Sequence, residues 1–183
     1  QQAIEKLEAF TQAIFQDMFG GGDHPPVTSR GVDERHPKGW SWVPIQSVAK
    51  MATGHTPDRK IADYWNGETS WINLKEIREL DGWWCEETQA TITPKGVANS
   101  SAVVLPVGTV CFSRTASIGF VTVMAKPMTT SQDFVNWLCG DDLHPFFLMD
   151  SLRLSRESLR ASSSGSTHKT IYVRDAERQS ILL

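Results

Sequence analysis

The residues best placed to make or break bonds are Ser166-Thr167-His168-Lys169. Their S-x-x-K spacing is the one by which a lysine activates a serine at the start of a helix. That chemistry also needs companion motifs such as K-T-G or S-D-N. Neither occurs, and the β-branched pair Thr170-Ile171 follows. Glu86-Glu87 and Asp141-Asp142 are adjacent in sequence, so in an extended chain their side chains point to opposite faces and make poor acid–base partners. His24, His36, His55, His144 and His168 form no pair at metal-ligand spacing, and Cys85, Cys111 and Cys139 form no CxxC. Phosphate-cradling glycine loops of the G-x-x-x-x-G-K-[ST] or G-x-G-x-x-G type are absent. The chain therefore reads as a recognition module without a catalytic set, a metal or a cofactor of its own. Its odd, widely spaced cysteines read as reduced thiols of a cytoplasmic protein.

Charge narrows what is recognised. The net charge of -3 argues mildly against a strongly basic nucleic-acid binder, but the distribution is uneven. Residues 1–23 sum to -3, residues 55–90 to -4, and residues 151–180 to +3 through Arg153, Arg156, Arg160, Lys169, Arg174 and Arg178. A polyanion should lean on that last stretch. Seven tryptophans are many for 183 residues. Most are expected to pack in or around the core, with at most two free to stack on a ligand.

The elements that must position these residues follow from periodicity and punctuation. Ile4, Leu7, Ile14 and Met18 predict a helix over 1–19, ended by Gly20-Gly21-Gly22 and reading as the edge of a core or the stump of a coiled coil. Glycine and proline clusters predict a linker or surface loop over 20–39. Residues 40–183 form the globular domain. Within it we expect a strand or helical turn over 43–53, a polar loop from Gly54 to Gly67, and a short helix ending at Leu80. Strands are expected over 102–105, 109–113, 118–124 and 170–173, with Val110 and Phe112 sharing one face. A helix over 145–160 starts with Pro145, buries Leu148, Leu152 and Leu159, and carries Arg153, Arg156 and Arg160 on an adjacent face. That arginine face is expected either to be solvated or to track a nucleic-acid backbone. No 18-residue apolar run and no signal-peptide pattern occurs, so no membrane partner is expected. The opening Gln1-Gln2 and the apolar close Ile181-Leu182-Leu183 read as cut ends.

An ordered series of motifs resembles the target recognition domain of the specificity subunit of type I DNA restriction-modification enzymes. Gly54-His55-Thr56-Pro57 is similar to the family's Gly-x-Thr-Pro loop. Tyr64-Trp65-Asn66-Gly67 with Trp71-Ile72 resembles its Tyr-Trp-x-Gly…Pro-Trp-Ile segment, Ser70 standing where proline is common. Ser100-Ser101-Ala102 and Leu105-Pro106-Val107-Gly108-Thr109 resemble its Ser-Ser-Ala…Leu-Pro-x-Gly-Thr strands. Ser113 to Gly119 is similar to its Ser-x-Arg-Gly-Thr-Ile-Gly stretch, one residue shifted and with Ala116-Ser117 for Gly-Thr. Gly165-Ser166-Thr167 matches its Gly-Ser-Thr, and Ser162 to Gly165 lies where Ala-x-Gly is usual. Residues 13–20, followed by Pro37-Lys38-Gly39-Trp40, resemble the end of a spacer helix running into a recognition domain.

The resemblance implies an α+β fold of mixed, mostly antiparallel small sheets with a few helices, preceded by an N-terminal helix. It implies a non-catalytic reader of one half of a bipartite DNA site. The partners implied are double-stranded DNA, modification (methyltransferase) subunits and a restriction motor subunit. S-adenosylmethionine, ATP and Mg would be used by those partners. Self-association through residues 1–19 would let two copies mimic the pseudo-symmetry of a full subunit. The residues expected at DNA are Arg114, Thr115 and Ser117, then Ser164, Gly165, Ser166, Thr167, His168 and Lys169, then Thr56, Arg59 and Lys60, with Arg153, Arg156 and Arg160 along the backbone. The rival readings are a Trp-rich carbohydrate- or protein-binding module and a Ser166/Lys169 hydrolase.

Overall fold

The structure is a computed structural model that describes residues 10, 13, 14, 17, 18, 25–29, 36, 38–163 and 169–183. Phe10, Ala13, Ile14, Asp17 and Met18 are helical, as the periodicity predicts. Phe10, Ile14 and Met18 are exposed, while Ile4 and Leu7 of the predicted stripe lie outside the described residues.

The body contains three sheets among the described residues. The first places β11 (Ser180–Leu182) between β1 (Val27–Thr28) and β2 (Trp42–Pro44), all antiparallel. The second runs β3 (Ala49–Thr53), β10 (Phe134–Cys139), β7 (Val110–Ser113), β8 (Val121–Met124) and β5 (Trp84–Cys85). It is antiparallel except for the β5–β8 pair. The third sets β4 (Trp65–Ile72) between β6 (Thr91–Ile92) and β9 (Thr129–Thr130). The helices are short: α1 (Ile45–Val48), α2 (Pro94–Ala98), α3 (Pro145–Leu154), α4 (Arg156–Ser162) and α5 (Val173–Ala176). The architecture is the α+β arrangement of small, mostly antiparallel sheets expected from the sequence.

The two largest core clusters lie on opposite faces of the second sheet. Val110, Phe112, Val121, Val123, Val135 and Trp137 face one way, against Leu148, Leu152 and Leu159 of α3 and α4. Cys111, Met124 and Phe134 face the other way, against Ile72, Ile77, Leu105 and Met128. Val110 and Phe112 do share a face. The opposite face is also covered, so all four residues of β7 and of β8 are buried instead of alternating between core and solvent.

Several expected elements differ. Residues 102–105 form no strand: Leu105 alone bridges Met128, and Val103 and Val104 are exposed. Residues 74–80 make an irregular turn, with Ile77 N–H donating to Asn73 O and Leu80 N–H to Glu76 O. Thr170–Val173 is not a strand. Thr170 makes one bridge to Thr115, and Val173 begins α5. The polar loop from Gly54 ends early, because β4 starts at Trp65. The segment read as a linker contributes β1, whose Val27 is fully buried opposite Ile181. Ile181 and Leu182 are apolar because they lie in the central strand of that sheet.

The helix expected over 145–160 is divided at Ser155. The buried Ser155 hydroxyl donates to Ser151 O at 2.7 Å and accepts the Val27 N–H at 2.8 Å. A serine that bonds back one turn competes with the helical ladder, and here it also ties β1 to the break.

Gly54, at the end of β3, closes the approach of two sheets. A Cβ there would lie 2.1 Å from Thr130 Oγ1 and 2.2 Å from Thr130 O, and backbone cannot yield as a side chain can. Gly54→Ala should lower stability by about 2 kcal/mol. Urea unfolding against the unsubstituted chain measures it, and an unchanged midpoint would show that β9 is free to move away.

Candidate nucleic-acid interface

Three loops meet at one end of the second sheet. The first, residues 54–60, leaves β3 and is fastened by tryptophans of β4. Trp71 Nε1 donates to His55 O at 3.1 Å, and Trp65 Nε1 to Asp58 O at 3.2 Å. His55 N–H donates to Thr130 O at 2.9 Å. The two indoles pack edge to face, 5.1 Å apart at 85°. The Arg59 guanidinium makes a cation–π contact with each of them, while Arg59 and Lys60 are exposed. Indole N–H groups need an acceptor when packed into a fold, and these acceptors are the loop's own carbonyls.

The second loop, residues 131–133, lies between β9 and β10. Gln132 Oε1 accepts the Thr56 hydroxyl at 2.5 Å, and Gln132 O accepts Arg114 Nη2 at 2.8 Å. Asp133 accepts the Thr115 hydroxyl at 2.6 Å and the Ser131 hydroxyl at 2.9 Å. The third loop, residues 114–119, turns through positive φ at Ala116 and Gly119. The Ser113 hydroxyl donates to Ser117 O and accepts Phe120 N–H, which locks this turn from inside. Thr170 bridges Thr115, and Ile171 N–H donates to Arg114 O, so the final segment returns to the same place.

The structure thus brings Thr56, Arg59, Lys60, Arg114 and Thr115 onto linked loops. Ser117 differs from expectation. It is buried, and its hydroxyl oxygen accepts Arg78 Nε at 3.1 Å and Nη2 at 2.5 Å, so it positions an arginine instead of reaching outward. Arg78, Ser117, Phe120, Arg160 and the exposed Lys169 line an open cavity of about 570 Å³. Gln132, Asp133 and Arg78 were not anticipated. A polar Ser131-Gln132-Asp133 step before an apolar strand was the available signal for the first two. Arg78 was hidden by the acidic stretch around it. Ser164, Gly165, Ser166, Thr167 and His168 lie outside the described residues.

The arginine stripe is corrected most. Its heads are turned onto the fold. Asp81 Oδ2 receives Arg156 Nη2 at 2.5 Å and lies 3.8 Å from Arg153 Nε, while Asp81 Oδ1 accepts Val121 N–H at 2.9 Å. Arg156 Nε also donates to Gly119 O, and Arg160 Nε to Ile118 O. Both guanidinium groups sit over the Phe120 ring. Only 13% of the Arg153 side chain and 22% of the Arg156 side chain remain exposed, against 33% for Arg160. The stripe is therefore not a solvated face. It pins the 114–119 loop to the helices.

Glu86, Glu87, Asp141 and Asp142 are exposed, as expected of solvated carboxylates. No cluster of metal-ligating side chains occurs among the described residues, and no described helix is long and apolar enough to cross a membrane. The three thiols are free. Burial pushes Cys85 up to about 12 and Cys139 to about 11, and raises Cys111 well above the usual thiol range.

The family described as the type I restriction modification DNA specificity domain matches residues 37–183. This chain belongs to that family. Among curated relatives, the MjaIX type I specificity subunit of Methanocaldococcus jannaschii is 32% identical over 134 residues, covering 72% of this chain and 31% of the relative. The HindI specificity subunit of Haemophilus influenzae is 21% identical over 117 residues, covering 64% and 25%. This specificity-domain chain thus spans between a quarter and a third of the length of those relatives. Its fold is that of the HsdS subunit from Thermoanaerobacter tengcongensis, with a TM-score of 0.62 at 21% identity over all of this chain and 40% of that one. A chain from a type I R-M system, solved for its assembly and conformational transition, gives 0.68 at 20% identity over 100% and 41%.

Two outcomes follow from the specificity domain's internal bonding. Asp81→Ala leaves Arg153 and Arg156 without their shared carboxylate and Val121 N–H without an acceptor. It should cost on the order of 3 kcal/mol, read by chemical denaturation, and a loss below 1 kcal/mol would show that the arginines find other partners. Native protein at pH 8 should resist alkylation by iodoacetamide at Cys85 and Cys111, since the thiolate is the reactive form; mass spectrometry before and after unfolding reads this out.

Proposed function

We propose that this chain is the DNA-reading part of a type I specificity subunit and recognises one half of a bipartite site. The observation that carries the reading is the three-loop rim, which presents Arg59, Lys60 and Arg114 beside neutral donors while hydrogen bonds tie the loops to one another and to β4. Membership of the specificity-domain family supports it. Sequence-specific binding needs phosphate contacts to set register and side chains at base edges to discriminate, and a single module covers roughly 600–1,000 Å² on DNA. Cations without carboxylate partners at the rim suit both tasks.

In this reading the chain catalyses nothing. It works in the cytoplasm, directing modification subunits to methylate adenine and a motor subunit to restrict. S-adenosylmethionine, ATP and Mg belong to those partners. Self-association through residues 1–19 would supply a second recognition half, and the outward Phe10, Ile14 and Met18 suit such a contact. The carbohydrate- or protein-binding alternative asks for exposed aromatic platforms. Trp71 and Trp137 are buried, and Trp65 is packed on Trp71, which leaves Trp83 as the strongly exposed tryptophan among the described residues.

A gel-shift series at low salt on duplexes with randomised half-sites, with the modification partner supplied, should give sequence-selective retention. Failure to retain any sequence selectively rejects the reading. Lys169→Ala should reduce the slope of log affinity against log salt by about one phosphate's worth, leaving the preferred sequence unchanged. An unaltered slope removes Lys169 from the interface.

A further inference from the structure

We infer that Arg59 is a base reader, taking the N7 and O6 edge of a guanine in the major groove. The inference deepens the DNA-recognition reading and rests on it. Among the described arginines, Arg78, Arg114, Arg153, Arg156 and Arg160 are engaged by acceptors of the protein itself, whereas Arg174 and Arg178 are exposed and lie against no aromatic ring. Arg59 donates no hydrogen bond to any described residue, yet it is held. Its guanidinium carbon lies 5.5 Å from the Trp65 ring centroid and 5.3 Å from that of Trp71. The rings meet at 85°, so the guanidinium occupies the corner between them. Both rings are in turn bonded through Nε1 to His55 O and Asp58 O of the loop that carries Arg59. Loop, rings and guanidinium therefore fix one another.

A cation–π contact restrains a guanidinium without consuming its N–H donors. Much of the rotamer freedom that binding would remove is already gone. A planar fork held in one orientation fits the paired acceptors of guanine. The surroundings favour a base edge over a phosphate. Asp58, next to Arg59 in sequence, carries a charge that disfavours a formally anionic group and leaves an uncharged base edge acceptable. The nearest carboxylate in sequence does not quench the arginine, because Asp58 Oδ1 accepts the Lys60 N–H at 2.9 Å.

The test is selection of duplexes from a randomised library by the full chain and by Arg59→Ala, followed by affinity measurements on the selected sequence. The exposed position of Arg59 leaves the fold intact, which circular dichroism checks. Arg59→Ala should lose preference for guanine at one position by about 5- to 150-fold while the other positions persist. Replacing that guanine by 7-deazaguanine should weaken the unsubstituted chain and leave Arg59→Ala unaffected. Uniform weakening on all sequences with the motif unchanged would overturn the inference and make Arg59 a phosphate contact. Equal sensitivity of both proteins to 7-deazaguanine would also overturn it. If the unsubstituted chain enriches no motif, the DNA-recognition reading itself falls.

Discussion

The carboxylate of Asp81 is where distant parts of this chain are joined. One oxygen takes the backbone N–H of Val121 in β8, and the other takes the guanidinium of Arg156 in α4, with Arg153 of α3 close by. A fold with eleven strands among the described residues, four of them only two residues long, cannot rely on ladder hydrogen bonds alone. Apolar burial gathers the two core clusters but does not dictate the angle at which helices and sheet meet. The Asp81 contacts supply that direction. They matter because Arg156 and Arg160 continue from them to Gly119 O and Ile118 O, the base of a rim loop.

The rim follows the same logic. Its outward cations are set by inward bonds: Thr56 to Gln132, Thr115 to Asp133, and the Trp65 and Trp71 indoles to loop carbonyls. Loops so tied can differ in their outward side chains while keeping their paths, since the restraint lies in bonds between the loops and to the strands behind them. Positive charge is thereby divided into two kinds. Arg153 and Arg156 serve the fold, whereas Arg59, Lys60 and Lys169 face outward.

What could be read from the sequence divides along a physical line. The motif series placed the loops correctly because Gly54, Gly119, Trp65 and Trp71 are demanded by local geometry, and such demands leave a local signature. Helical structure over 145–160 and the shared face of Leu148, Leu152 and Leu159 followed from periodicity, but the break at Ser155 did not. The arginine stripe was misjudged because helical spacing tells which residues share a face, not what lies opposite. Asp81, 72 positions before Arg153, gives no sign of its partner. The 102–105 and 170–173 segments look like strands by composition, but strand formation needs a neighbour with free backbone groups, and here each finds a single bridge. Ser117 was misplaced for a similar reason: a hydroxyl in a polar loop looks outward until its acceptor role toward Arg78 is known.

One feature of the smallest sheet bears on how such a unit can be combined with others. β1 and β11 are direct neighbours, with Val27 opposite Ile181, although more than 150 residues separate them. The polypeptide therefore comes into the folded body and goes out of it through adjacent doors. A unit wired this way acts as a plug-in cassette. It can be spliced into a longer architecture, or exchanged for another of the same build, with little change in the spacing of whatever flanks it.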